Sequence, residues 1–390
     1  MPQRAQPVRG MRDAVPPTAE LRRQLANRVL DVYASYGYEP IDTPALEDLD
    51  VLLGSQGGEN EKLIFKVLKR GARLEAAAGQ EGELADLGLR FDLTVPLARF
   101  VASHGHELPM PLKVAHVGPV WRAERPQRGR YREFTQCDID IVGEPSIAAE
   151  VELCTATVEA LEKVGIRGST VRLNDRRLLR AAVEHHLGPV DPAPVYIVLD
   201  KLDKLEREEV ASELVRNGHD AGAVDSLLDH LAQASPAGPG EVEVDARRTL
   251  AALGALGIPA RFDPVLVRGM GYYTGQIFEV SHPDMPYSLA GGGRYDGMTS
   301  RFGIQALPMC GFSIGFERIY EMVDPAVLGS SRPKEVVTCT TDDELLAALH
   351  EARLRRQRDP DLRISVVRRA RNVRKQREDF QRLGYSYSQE

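Results

Sequence analysis

Three clusters in this chain hold residues whose types and spacing could do chemistry. The first is WRAERPQRGRYREFTQCDIDIVG, residues 121–143. Alternation runs through both arms, so residues two apart share a face, and Gln136, Asp138 and Asp140 point the same way. Carboxylates and an amide in phase on a strand are costly to bury without a cationic partner, so a bound ammonium or imidazole is expected there. On the first arm Arg122 and Glu124 are in phase, and Arg122 could clamp a phosphate bidentately with help from Arg128 and Arg130 in the loop. A cross-strand salt-bridge ladder on an exposed face is the competing reading. The second cluster, LVRGMGYYTGQIFEV (266–280), sets Arg268 among Gly269, Gly271, Gly275, Tyr272 and Tyr273, which suits a loop wrapped round a ligand. Glycine-rich turns with aromatics are also common in plain β-structure. The third is AGGGRYDG (290–297) followed by GFSIGFERI (311–319). Its three consecutive glycines would let a flat ligand such as a nucleotide base approach the backbone, and Arg318 could reach a phosphate from a helix. No G-x-x-x-x-G-K-[ST] phosphate loop exists in the chain.

The elements that must position these clusters are partly legible. Apolar spacing of three and four predicts helices over 18–37 and 146–165. Arg70–Leu87 reads as loop, and RPQRGR (125–130) as a long hairpin turn between two strands. Leu173–Ala260 is helix-rich and polar, an expected inserted module, and Pro264–Glu317 is a second β-rich block. SSRPK (330–334) reads as a linker, and the remainder as β-α-β-α-β.

Composition narrows the class. A chain of 390 residues predicts two or three domains, and 43% hydrophobic with 27% charged residues is ordinary for a globular protein. No apolar run reaches the ~20 residues of a membrane-spanning helix, and the N-terminus lacks the apolar core of a secretory signal. Cys137, Cys154, Cys310 and Cys339 show no zinc or disulfide spacing, so a reducing cytoplasm is expected. The net charge of −7 hides a basic stretch from Arg353 to Lys375, which either binds phosphates or merely solvates a helix face.

In this order the clusters resemble a known family. RAERPQ (122–127) and GFER (315–318) look like motifs 2 and 3 of class II aminoacyl-tRNA synthetases, and RGMGYYTG (268–275) is similar to the signature of the histidyl-tRNA synthetases. RGMRD (9–13) and LRFDLTVPLAR (89–99) resemble that family's N-terminal landmarks, so the likeness spans roughly 9–320. It implies an α+β fold in which an antiparallel six- or seven-stranded sheet is flanked by helices. Residues 1–172 would be the first part of the catalytic domain, 173–260 a helical insertion, 261–328 the second catalytic part and 329–390 an abbreviated anticodon-binding-like α/β domain. The implied activity is activation of L-histidine with ATP, assisted by Mg2+, and transfer to tRNA(His) by a cytoplasmic homodimer, with no membrane involved.

The resemblance also implies roles. Arg122 would contact the α-phosphate and the histidine carboxylate, Glu124 the adenine, and Arg130 and Arg318 the γ-phosphate. Asp92, Thr94, Gln136, Asp140, Tyr272 and Tyr273 would hold the amino group and imidazole, and Arg268 would sit by the α-phosphate where other enzymes use a metal. Gln127 and Arg128 would meet the tRNA acceptor stem; no protein-bound metal is implied. Asp92 and Asp140 stand where the family commonly has Glu, and Gly271 where an Asp commonly precedes the tyrosines. Two alternatives compete: a paralogue that adenylates histidine for another acceptor, favoured by the short C-terminal domain, and a non-catalytic regulatory subunit like that of ATP phosphoribosyltransferase, disfavoured by the intact arginines.

Overall fold

The computed structural model describes residues 5–54, 61–77, 84–126, 130–203, 205–233, 235–236, 240–268, 271–328 and 333–387. Among the described residues the strands run in chain order as β1 (Glu39–Pro40), β2 (Leu46–Asp48), β3 (Lys66–Leu68), β4 (Ala85–Leu89), β5 (Leu112–Trp121), β6 (Glu133–Val142), β7 (Thr170–Asp175), β8 (Ala260–Phe262), β9 (Gln276–Ser281), β10 (Ala290–Arg294), β11 (Met309–Gly315), β12 (Lys334–Cys339), β13 (Arg363–Arg368) and β14 (Ser386–Tyr387). The helices are α1 (Pro16–Ser35), α2 (Leu49–Leu53), α3 (Ala72–Ala76), α4 (Thr94–His104), α5 (Ala148–Lys163), α6 (Arg176–Leu187), α7 (Pro192–Leu199), α8 (Arg207–Arg216), α9 (Ala221–Leu231), α10 (Gly240–Ala255), α11 (Phe316–Met322), α12 (Asp342–Arg358) and α13 (Val373–Arg382).

The chain divides into two compact units, Met1–Arg12 with Ala26–Val323, and Asp13–Leu25 with Asp324–Glu390. The larger is built on an eight-stranded sheet in the order β1-β5-β6-β11-β10-β9-β7-β8. Its six inner strands are antiparallel, as expected, and the short β1 and β8 add parallel pairs at the two edges. β5 and β6 form the long hairpin, paired in register from Leu112↔Val142 to Trp121↔Glu133. The stretch read as loop before Leu87 contains α3 and most of β4; β4 becomes a strand by pairing with β2 and β3, a non-local partnership that local composition does not show.

Helices α6–α9 enclose a core of their own, with Leu179, Val183, Val195, Leu199, Val210, Leu214, Val224 and Leu227 buried together. Asp175, Asp191 and Asp220 cap α6, α7 and α9 by accepting backbone N–H bonds, which sharpens each helix start. Val267, one residue before Arg268, is buried in this same core, and Val265 packs against it. Asn174 Nδ2 donates to the carbonyls of Pro264 and Leu266, each at 3.0 Å. The backbone entering the Arg268 loop is therefore held by apolar packing on one side and a side-chain amide on the other.

In the smaller unit a three-stranded parallel sheet, order β13-β12-β14, carries α12 and α13 in the expected β-α-β-α-β sequence. A Thr341–Glu344 capping box starts α12. Within this unit Arg363 Nη2 donates to Glu20 Oε1 at 2.9 Å, and that bond, against the opposing effect of burial, pulls the Glu20 carboxyl down to about 2.

Candidate active site

The face of the sheet bearing the in-phase acids is a pocket floor. Cross-strand pairs lie on one side of an antiparallel sheet. Pairing of Asp138 with Ser313, Ser313 with Gly291, and Asp140 with Gly311 therefore builds rows of polar and glycine positions over three strands. Two connected spaces rise from this floor. The inner one, with about 420 Å³ of non-protein volume, is lined by Asp92, Thr94, Gln136, Asp138, Asp140, Tyr272, Tyr273 and Tyr295. The outer one, about 930 Å³ and open to solvent, is lined by Glu124, Arg130, Tyr131, Phe134, Ser288, Glu317 and Arg318. Arg122, Arg268, Gln136, Gly291 and Ser313 border both. Charged and polar groups line both spaces beside aromatic rings, which suits occupants that carry both charge and flat apolar surface.

Two of the glycines make room for side chains of the site itself. A Cβ on Gly291 would stand 2.3 Å from Arg268 Cζ, and one on Gly311 would stand 1.8 Å from Asp140 Oδ1. The missing side chains make room for Arg268 and Asp140 to lie on the sheet backbone.

Each functional side chain has a local anchor. Arg268 Nη1 donates to Glu279 Oε1 at 2.5 Å. Burial pulls the Arg268 pKa down, but Glu279 and the two tyrosines more than offset it, so the guanidinium stays charged. Arg122 Nε donates to the Phe91 carbonyl at 3.0 Å, with its guanidinium carbon 5.0 Å from the centre of the Phe134 ring. Arg318 Nη1 donates to the Ser288 carbonyl at 2.5 Å, and burial followed by the neighbouring Arg268 lowers its pKa, with Glu279 opposing them. Arg130 Nη1 sits 3.7 Å from Glu124 Oε2. Glu317 pairs with Arg12.

In the inner space Asp92 accepts from the Val95 N–H at 3.1 Å, and the Tyr272 hydroxyl lies 3.4 Å from both Asp92 and Thr94. Tyr295 donates its hydroxyl to Asp140 in a short hydrogen bond. Burial raises all three acids: Asp92 to about 6, Asp140 to about 7, and Asp138 well above the usual range with added repulsion from Asp140. Gln136 Nε2 donates to Ser313 Oγ at 2.9 Å, yet its Oε1, Asp138 Oδ1 and Arg268 Nε are buried without a hydrogen-bond partner among the described residues. Orphaned buried acceptors and a donor, on residues that line one chamber, suit a ligand with both kinds of group.

Of the residues singled out from sequence, Asp92, Thr94, Arg122, Gln136, Asp140, Arg268, Tyr272 and Tyr273 meet in the inner space, and Arg122, Glu124, Arg130 and Arg318 in the outer. Gln127 and Arg128 lie outside the described residues. Asp138, Ser313, Tyr295 and Glu279 were not singled out as site residues. Asp138 carried a signal, its phase with Gln136 and Asp140; the others carried none, because only cross-strand register brings them in. Among the described residues no group of three or more His, Cys, Asp or Glu is arranged to hold a metal ion, and no helix is long and apolar enough to cross a membrane.

Comparison with known proteins agrees with this geometry. The family described as "Histidyl-tRNA synthetase" matches residues 10–319. The chain is 46% identical over 344 residues to a histidine–tRNA ligase of Leifsonia xyli subsp. xyli, covering 82% of this chain and 80% of that protein. It is 42% identical over 336 residues to a histidine–tRNA ligase of Aeropyrum pernix, covering 82% and 74%. Among solved structures, a histidyl-tRNA synthetase from Nostoc sp. PCC 7120 superposes with a TM-score of 0.75 at 24% identity, covering 98% of this chain and 90% of that one. An ATP phosphoribosyltransferase regulatory subunit/histidyl-tRNA synthetase from Bacillus halodurans superposes with a TM-score of 0.80 at 20% identity over 99% and 98%, a likeness of fold. With the family match running through both halves of the pocket and relatives above 40% identity over four-fifths of the chain, this chain belongs to the histidyl-tRNA synthetase family.

Proposed function

We infer that the chain activates L-histidine with ATP and transfers the histidyl group to tRNA(His). The observation that carries this is the pair of joined spaces: an inner one with orphaned polar atoms and three acids, and an outer one with clustered arginines, with Arg122 and Arg268 at the junction. In the reaction a histidine carboxylate oxygen attacks the α-phosphorus of ATP, the bond to the β-phosphate oxygen breaks, and histidyl-adenylate and pyrophosphate form. A ribose hydroxyl at the tRNA 3′ end then attacks the histidyl carbonyl, and AMP leaves.

Charge builds on the α-phosphate oxygens as the first bond forms, and guanidiniums already fixed in place stabilise it without reorganising. Arg122 and Arg268 fill that role. Arg130 and Arg318 take the terminal phosphates and Glu124 the adenine, and magnesium, entering with the ATP substrate, would offset phosphate charge beside these arginines. Asp92, Thr94 and Tyr272 hold the ammonium, while Gln136, Asp140 and Tyr273 surround the imidazole. Gln127 and Arg128 meet the acceptor stem. The family resemblance supports a homodimer, which light scattering tests, and tRNA charging together with four free buried cysteines fits the cytoplasm.

Histidine-dependent exchange of labelled pyrophosphate into ATP, followed by addition of bulk tRNA, is the test. Exchange and charging are expected. Absence of exchange would favour the regulatory-subunit alternative; exchange without charging would favour an adenylating paralogue with another acceptor.

A further inference from the structure

We infer that Glu279 and Arg172 are positioning residues for the adenylation step, holding Arg268 at the α-phosphate through a line of ion pairs that crosses the sheet. Cross-strand pairing sets Ser313, Gly291, Glu279 and Arg172 side by side on β11, β10, β9 and β7. Gly291 supplies the gap in that row, and the Arg268 guanidinium fills it against the backbone. Glu279 spends its two oxygens on two different cations: Oε1 lies 2.5 Å from Arg268 Nη1 and Oε2 lies 3.5 Å from Arg172 Nη1. Arg172 Nε in turn lies 2.6 Å from Asp263 Oδ2, and the more exposed Arg261 reaches that same oxygen at 3.2 Å from the strand beyond. The charges thus alternate from the pocket to the edge of the sheet. Arg268, Glu279, Arg172 and Asp263 all have side chains less than a quarter exposed, so these pairs are little screened by salt.

This line does two things that a lone arginine could not. It fixes the direction of the guanidinium, because Nη1 is committed to Glu279 while Nε has no hydrogen-bond partner among the described residues, and the side chain lines the pocket. It also keeps Arg268 from being neutralised outright. Glu279 is shared with Arg172, so it retains less charge for Arg268 than an unshared carboxylate would, and the guanidinium can still act on a phosphate. Removing Glu279 would leave Arg268 without its carboxylate partner beside Arg172, which still holds Asp263, and the two half-buried guanidiniums would then repel with nothing between them.

The inference rests on Arg268 acting at the α-phosphate, and a double-mutant cycle separates the two claims. Glu279→Gln keeps the shape and removes the charge. It is expected to lower kcat for pyrophosphate exchange about 10- to 100-fold, the scale of a misplaced catalytic group, with KM for histidine and ATP within about threefold. Arg172→Met, which leaves Glu279 in place, should give a smaller loss in kcat of the same kind and serves if Glu279→Gln does not fold; Glu279→Asp should recover part of the rate. Once Arg268 is already Ala, neither Glu279→Gln nor Arg172→Met should reduce exchange further. Losses that multiply in the Arg268→Ala background, or a rise in KM with kcat unchanged, would overturn the inference while leaving the function intact. Undiminished exchange by Arg268→Ala alone would overturn the reading of Arg268 and, with it, this one.

Discussion

At the scale of single residues, the pocket holds groups whose ionisation is set by burial. Arg268→Ala removes one preorganised donor, and the expected loss in adenylate formation is about 10²–10³. Its melting temperature and its histidine affinity, read by calorimetry, should stay close to those of the parent. Asp140 offers a test that needs no substrate. Its folded pKa is about 7, against about 3.9 for a free Asp side chain, so the folded state holds more protons between those values. The contribution of this group to stability therefore falls as pH rises from about 4 to about 7, and is level above that. Asp140→Asn cannot ionise and can still accept the Tyr295 hydroxyl. Its melting temperature relative to the parent should climb between pH 5 and pH 7 and then plateau; a difference that is flat with pH would show that Asp140 ionises normally. In kinetics, Asp140→Ala should raise KM for histidine far more than KM for ATP, because Asp140 lines only the inner space.

At the scale of elements, β10 and β11 act as a floor whose glycines accommodate other residues. Gly291→Ala would press a methyl group into the Arg268 guanidinium, while β10 keeps its backbone pairs to β9 and β11. The expected outcome is a rate loss approaching that of Arg268→Ala with an unchanged far-ultraviolet circular dichroism spectrum. Full activity in that variant would mean that Arg268 works from another position. The stretch 290–293 was readable as a place of close approach. What approaches was not readable, because the neighbour arrives from a loop more than twenty residues away in sequence.

At the scale of the whole molecule, the C-terminal stretch of the smaller unit, Asp324–Glu390, lies beyond the family match at 10–319, and the disposition of its charges makes one surface the candidate for the proposed tRNA contact. Several of the arginines counted in the basic stretch are occupied within the unit: Arg355 by Glu335, Arg356 by the Ile364 carbonyl, Arg363 by Glu20 and Arg368 by Asp342. Helix α13 buries none of its residues; Arg371 just before it and Lys375 in its first turn are exposed, as is Arg374, which lies 3.0 Å from Glu378 on the same helix. Replacing these three with Gln should weaken tRNA binding for all sequences alike and reduce the slope of log affinity against log salt by roughly 0.7–0.9 per lost phosphate contact. An unchanged slope would limit this helix to solvation.

What the sequence determined by itself was whatever depends on short range. Alternation placed Gln136, Asp138 and Asp140 on one face, helical spacing located α1 and α5, and the ordered motifs 122–127, 268–275 and 315–318 marked the family. Only the tertiary structure decided which partners those residues have. Glu279 meets Arg268, Tyr295 meets Asp140 and Gly291 makes the room because β6, β11, β10, β9 and β7 pair in one register. Register is set by burial of whole strand faces, so a shift of one residue would turn Glu279 and Asp140 to the other side of the sheet and move the gap at Gly291 with them. The ionisation of Asp92 and Asp140 depends on that same burial, and no local pattern of residues encodes it.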